Sequence, residues 1–324
     1  MKLHKCLLLA AAVTFPLPAY ALDLTPDSTR ILTDPTYLPL SGQLWGYTAY
    51  SHTWTNGDSF NDLGNTVSSF HVNADTIDQY IGFGVTDDFM IDASIRWTPD
   101  SNRQIDRFGA GSETLSSSGV SNPTFGATYR LIDQAASPVS LDVFGSYTPN
   151  WLDADNASAT QEGTIASGGQ SGSVGAAIGQ ELRDFTIRGA FTANFLGESN
   201  SFDLGDNDVI HDSAHTNYIA SLDTQTRLTD LFSVNAGFAY TFANGSTVTN
   251  TFNGITHDTA PGNIAAFDLA LNYQLVPNAM VAGVTYDYQN VGDSRNMFVV
   301  PTSDNGSRDR NANILGVRLT YAFP

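Results

Sequence analysis

The chain has 324 residues, with 33 acids against 14 lysines and arginines, and charged residues make up only 15% of it. Aromatic and apolar contents of 11% and 41% are too high for a disordered acidic chain. A net charge of −19 argues against nucleic-acid binding through a basic surface, so nucleic acid is not an expected partner.

Both lysines, Lys2 and Lys5, precede an apolar run from Leu7 to Val13, and Ala19-Tyr20-Ala21 follows it. This is the grammar of a secretory signal, residues 1–21, cleaved after Ala21. Cys6 lies in that leader, so the mature chain has no cysteine and no disulfide. Loss of the two lysines takes the net charge from −19 to −21. Residues 22–43 hold Pro26, the Asp34-Pro35 step and Pro39, which suit neither a strand nor a long helix. They are expected to form a periplasmic segment or a short plug before a barrel spanning 44–324.

No later apolar stretch approaches the ~20 residues of a membrane-spanning helix. Instead, apolar residues alternate with period two, the signature of strands. In 89–98, Phe89, Ile91, Ala93, Ile95 and Trp97 share one face, and Met90, Asp92, Ser94, Arg96 and Thr98 share the other. The same alternation gives twelve expected strands: 44–54, 76–86, 89–98, 122–132, 139–149, 172–182, 185–195, 216–228, 232–242, 263–275, 279–289 and 310–323.

Connections alternate between long, at 55–75, 99–121, 150–171, 196–215, 243–262 and 290–309, and short, at 87–88, 133–138, 183–184, 229–231 and 276–278. Short turns at one end and long loops at the other describe an all-β, antiparallel, up-and-down transmembrane barrel. A soluble sandwich is the alternative, but it mixes connection lengths and exposes its polar face to bulk water. The expected location is the outer membrane of a Gram-negative bacterium.

Arginine on the lipid face at mid-bilayer costs ~2–4 kcal/mol, so strand charges should face the lumen. The polar parity carries Asp78, Asp92, Arg96, Arg130, Asp142, Arg188, Asp223, Arg227, Asp268, Asp287 and Arg318, the expected pore-lining set, together with Glu181. Glycines assigned to the same parity, among them Gly46, Gly82, Gly84, Gly126, Gly175, Gly179 and Gly237, imply open space inside. Counting back from the short turns brings Asp78 near Arg96 and Arg130 opposite Asp142, two expected ion pairs. The same counting sets Asp268 opposite Asp287, a like-charge contact needing a cation, a proton or Arg318. Most remaining acids fall in loops, where divalent cations can bridge them to lipopolysaccharide phosphates.

The C-terminal run Asn313 to Phe323 alternates and ends on an aromatic before Pro324, resembling the insertion signal read by the barrel-assembly machinery. Two further phrases, Gly84-Val85-Thr86-Asp87-Asp88-Phe89-Met90-Ile91-Asp92-Ala93-Ser94-Ile95 and Gly119-Val120-Ser121-Asn122-Pro123-Thr124-Phe125-Gly126-Ala127-Thr128-Tyr129-Arg130-Leu131, resemble the turn-and-strand phrases of the meta-pathway phenol-degradation family. Those proteins are transporter-like outer-membrane barrels. The resemblance implies a channel for small solutes, with aromatic or other small organic compounds among them.

A barrel hydrolase is the competing reading, resting on His52, His71 and the group His211, Asp212, Ser213 and His215. No matching constellation is placed at the same height by the sequence. A surface-binding barrel is the third reading. Asp203 to Asp208 is acidic but lacks the 12-residue calcium-loop grammar. No cofactor, metal site or catalytic residue is expected, and outer-membrane lipid, lipopolysaccharide and small solutes are the expected partners.

Overall fold

A computed structural model of the chain describes residues 31–109, 111–152, 160–161, 169–203, 208–250, 256–298 and 305–324. Residues 1–21, expected as a secretory signal, and most of the Asp203 to Asp208 stretch lie outside the described residues. Twelve strands form the wall: β1 (Leu44–Asn61), β2 (Thr66–Thr86), β3 (Phe89–Arg107), β5 (Thr124–Ile132), β6 (Ser140–Thr148), β8 (Gly169–Leu182), β9 (Phe185–Asp203), β11 (His215–Arg227), β12 (Phe232–Phe242), β15 (Ile264–Val276), β16 (Met280–Val291) and β18 (Asn305–Phe323). Each pairs antiparallel with the next, and β18 pairs with β1 from Leu44 opposite Phe323 to Asn61 opposite Asn305. That last ladder closes the sheet and leaves the wall without an edge.

The outer face is built by the apolar parity. Ile81, Ile91, Phe125, Val174, Phe191, Phe267, Leu269, Val317 and Leu319 are all exposed. In water this surface would be unfavourable at ~25 cal/mol per Å² of apolar area, whereas lipid removes the penalty. The protein is therefore an outer-membrane β-barrel, with its short turns at the periplasmic end.

The wall rises higher than alternation indicates. β2 has 21 residues, or ~70 Å at ~3.3 Å per residue, against the ~9–11 residues a tilted strand needs to cross a bilayer. Much of 55–75 and 99–121, expected as loops, continues β1, β2 and β3 outward. Short strands β4 (Gly111–Val120), β7 (Thr160–Gln161), β10 (Asp208–Asp212), β13 (Thr247–Asn250), β14 (Thr256–Ala260) and β17 (Ser294–Phe298) extend this outer collar. β7 is the parallel member, pairing with β4.

A shift in β3 between Thr98 and Ser101 contains Pro99, which has no N–H for the ladder. On the β2 side, the register also steps between Asp75 and Ile77. Asp75 lies opposite His52 on the outward parity, accepting hydrogen bonds from Tyr50 Oη at 2.8 Å and contacting His52 Nδ1 at 2.7 Å. This polar cluster sits on the outer side of the barrel wall. Gly46 is also outward, opposite Ile81 and Tyr321, so its assignment to the lumen parity is corrected. Trp45, Tyr47, Ala49, Ser51 and Thr53 of β1 face inward.

Candidate functional site: a charged lumen above an N-terminal strap

Residues 31–43 enter the periplasmic end of the barrel and cross it as a strap. Asp34 sets the first bend: its carboxylate accepts the Thr36 N–H at 2.8 Å, ahead of a Tyr37 N–H to Asp34 carbonyl bond. This Asx turn is the local chemistry expected of an Asp-Pro step. Leu32 packs with Val281 and Ala322, beside Tyr37 and Trp45, and Leu38 and Pro39 are also buried.

The strap is fixed to widely separated parts of the wall. Arg130 Nη2 donates to the Thr36 carbonyl at 2.6 Å, and Thr186 Oγ1 donates to Asp34 at 2.5 Å. Asn235 Nδ2 and Gln225 Nε2 donate to the Thr33 carbonyl and hydroxyl, both at 2.8 Å, and Trp45 Nε1 donates to the Leu32 carbonyl at 3.2 Å. At its exit the strap passes over Gly84, where an added Cβ would strike the Leu40 carbonyl. Glycine is required there by backbone approach.

Above the strap lies a chamber of about 670 Å³, lined among others by Asp34, Tyr47, Asp78, Arg96, Arg188, Asp223, Asp268, Asp287 and Arg318. A second chamber of about 700 Å³ lies beyond it and shares Tyr47, Asp78 and Arg96. Asp78 and Arg96 face one another across β2 and β3 and form an ion pair at 2.7 Å. Asp223 faces Arg188 across β9 and β11, and Asp268 faces Asp287 across β15 and β16. Arg318 lies on the adjoining strand, opposite Gly283 and Ala49.

Not all of the polar set reaches this open space. Arg130 and Asp142 form a buried ion pair at 2.8 Å, 6% and 5% exposed, and act on the strap rather than line either chamber. Asp92 folds over Gly126, where any Cβ would meet its carboxylate. Arg227 sits at the periplasmic end of β11 opposite Ser233. These four expected pore-lining positions lie on the inner side of the wall without lining either chamber. Conversely, alternation assigned no role to Trp45, Tyr47 and Tyr80, which form an inward aromatic group. Trp45 meets Tyr80 edge-on at 5.3 Å, and Tyr47 stacks on Tyr80 at 5.3 Å. Their inward parity relative to Asp78 and Gly82 was the available signal.

Among the described residues, the histidines of the competing hydrolase reading each meet a local partner. His71 contacts Asn56 at 2.6 Å, His211 contacts Asn200 at 3.0 Å, and His215 contacts the Ser213 carbonyl at 3.1 Å. Among the described residues, no three His, Cys, Asp or Glu side chains gather as a metal-binding group.

No family model matches the chain, and no curated protein matches its sequence. Its fold is similar to that of an outer membrane channel from Pseudomonas putida F1, with a TM-score of 0.55 and 15% identity over 90% of this chain and 99% of that one. It is also similar to the transport unit of the autotransporter AIDA-I from Escherichia coli, with a TM-score of 0.52 and 10% identity over 86% and 90% of the two chains. These likenesses show a shared outer-membrane barrel architecture.

Proposed function

We propose that this barrel is an outer-membrane channel that passes small solutes by diffusion, including the small aromatic and organic compounds implied by the phenol-degradation resemblance. The observation that carries this reading is the pair of adjoining, ion-lined chambers inside a wall whose outer face is apolar. An apolar exterior requires lipid, and charged side chains directed away from it require water or partners. The strap narrows the periplasmic end. Acidic segments outside the membrane meet lipopolysaccharide phosphates through divalent cations, and the C-terminal strand engages the barrel-assembly machinery.

Purified protein inserted in planar bilayers should give discrete conductance steps, and its proteoliposomes should swell in small neutral solutes. Complete absence of both from correctly folded protein would overturn the channel reading.

A further inference from the structure

Arg188 stands directly opposite Asp223, in the same cross-strand relationship that gives ion pairs between Arg96 and Asp78 and between Arg130 and Asp142. No ion pair forms between Arg188 and Asp223. The Arg188 guanidinium instead lies 5.7 Å from the Phe144 ring centre, and its Nε is buried without a hydrogen-bond partner. Arg318 repeats the arrangement, 5.8 Å from the Tyr47 ring centre with an unpartnered buried Nε. Aromatic faces thus hold both guanidinium groups away from neighbouring carboxylates.

The carboxylates between them are equally unneutralised. Asp268 and Asp287 face one another without an ion-paired cation among the described residues, and Asp223 receives only a long 3.5 Å hydrogen bond from Ser221. All five groups line the same 670 Å³ chamber. Arg188 is directly opposite Asp223 on the next strand, and Arg318 is on the strand next to Asp287, four residues along the ladder.

We infer that this chamber binds a small zwitterion of the amino-acid class. The solute's carboxylate is received by Arg188 or Arg318, and its ammonium by the Asp223, Asp268 and Asp287 wall. A lone anion meets three carboxylates and a lone cation meets two guanidinium groups, whereas a zwitterion satisfies both sets without adding net charge. This inference deepens the channel reading and rests on it for transport, but binding can be measured separately.

The test compares L-glutamine with arabitol, an uncharged solute of similar size, in proteoliposome swelling. It also follows Trp45 fluorescence in detergent, using the full chain with Trp54→Phe, Trp97→Phe and Trp151→Phe. Glutamine should enter several-fold faster than arabitol and give a saturable Trp45 response that gluconate and methylammonium do not reproduce. Arg188→Gln/Arg318→Gln and Asp268→Asn/Asp287→Asn should each bring the swelling ratio toward unity, and Arg188→Lys/Arg318→Lys should retain part of it. Equal swelling with no saturable fluorescence response overturns the site while leaving a channel. Saturable glutamine binding without swelling by any solute supports the site and overturns the channel reading. Equal fluorescence responses to glutamine and gluconate also overturn the zwitterion assignment, and this comparison needs no charge variant to fold.

Discussion

Arg130→Gln should release the strap. The substitution removes the guanidinium bond to the Thr36 carbonyl and the ion pair with Asp142, both buried. A hydrogen bond from a charged donor contributes ~1.5–3 kcal/mol, which corresponds to a ~10–150-fold shift between seated and released strap. Cys6 is the one cysteine of the sequence, so Thr36→Cys combined with Cys6→Ser provides a single labelling site. Its reaction with a water-soluble thiol reagent should accelerate by that factor when Arg130→Gln is added. Single-channel records should show longer or larger openings. Asp142→Asn, which retains the Arg130 bond to Thr36, should remain much nearer the parent rate. Unchanged labelling and unchanged currents in a correctly assembled Arg130→Gln barrel would refute the argument that this contact holds the strap.

Gly84→Val should disturb the strap from its other end, because the new side chain meets the Leu40 carbonyl backbone. Increased proteolysis within 31–43, with the barrel intact, is the expected reading. Chamber lining contains Asp34, Asp78, Asp223, Asp268 and Asp287 against Arg96, Arg188 and Arg318. Asp268→Asn/Asp287→Asn should consequently bring the cation-to-anion permeability ratio close to unity, as measured by reversal potential in a salt gradient. Burial holds the His257 imidazole below its ordinary value in the outer collar. Protonation therefore favours the opened state, and the local stability contribution is lost as pH falls through and below ~6.5. Amide exchange in β13 and β14, corrected for intrinsic pH dependence, should show this loss, and His257→Gln should remove it.

The membrane-spanning part of the fold was legible because one side of each strand faces lipid and the other does not. That contrast imposes period two from Phe89 to Trp97 and again from Leu315 to Phe323. The outer continuations of β1, β2 and β3 were not legible because their two faces carry many polar residues. Thr66 to Asn73 illustrates the problem, since its pattern lacks the oily alternation of a bilayer strand. Gly46 has no side chain with which to declare a face, and its register is revealed only through Ile81 and Tyr321.

Within the candidate site, short-turn counting was sufficient to bring Asp268 opposite Asp287. It was insufficient to show that Arg188 would rest on Phe144 or that Arg130 would contact Thr36. Those outcomes depend on non-local side-chain packing. Similarly, Pro26, Asp34-Pro35 and Pro39 revealed an irregular segment but not its lumenal path, which is fixed by residues such as Gln225 and Asn235 far along the chain.

The strap imposes an order on biogenesis. Thr33 bonds Asn235 across a sequence separation of 202 residues, while Leu32 packs against Val281 and Ala322 near the opposite terminus. The strap, residues 31–43, can reach its full set of native neighbours only after nearly all the chain has arrived. Its seating is therefore a late event, and its absence need not prevent the cylindrical ladder itself from closing.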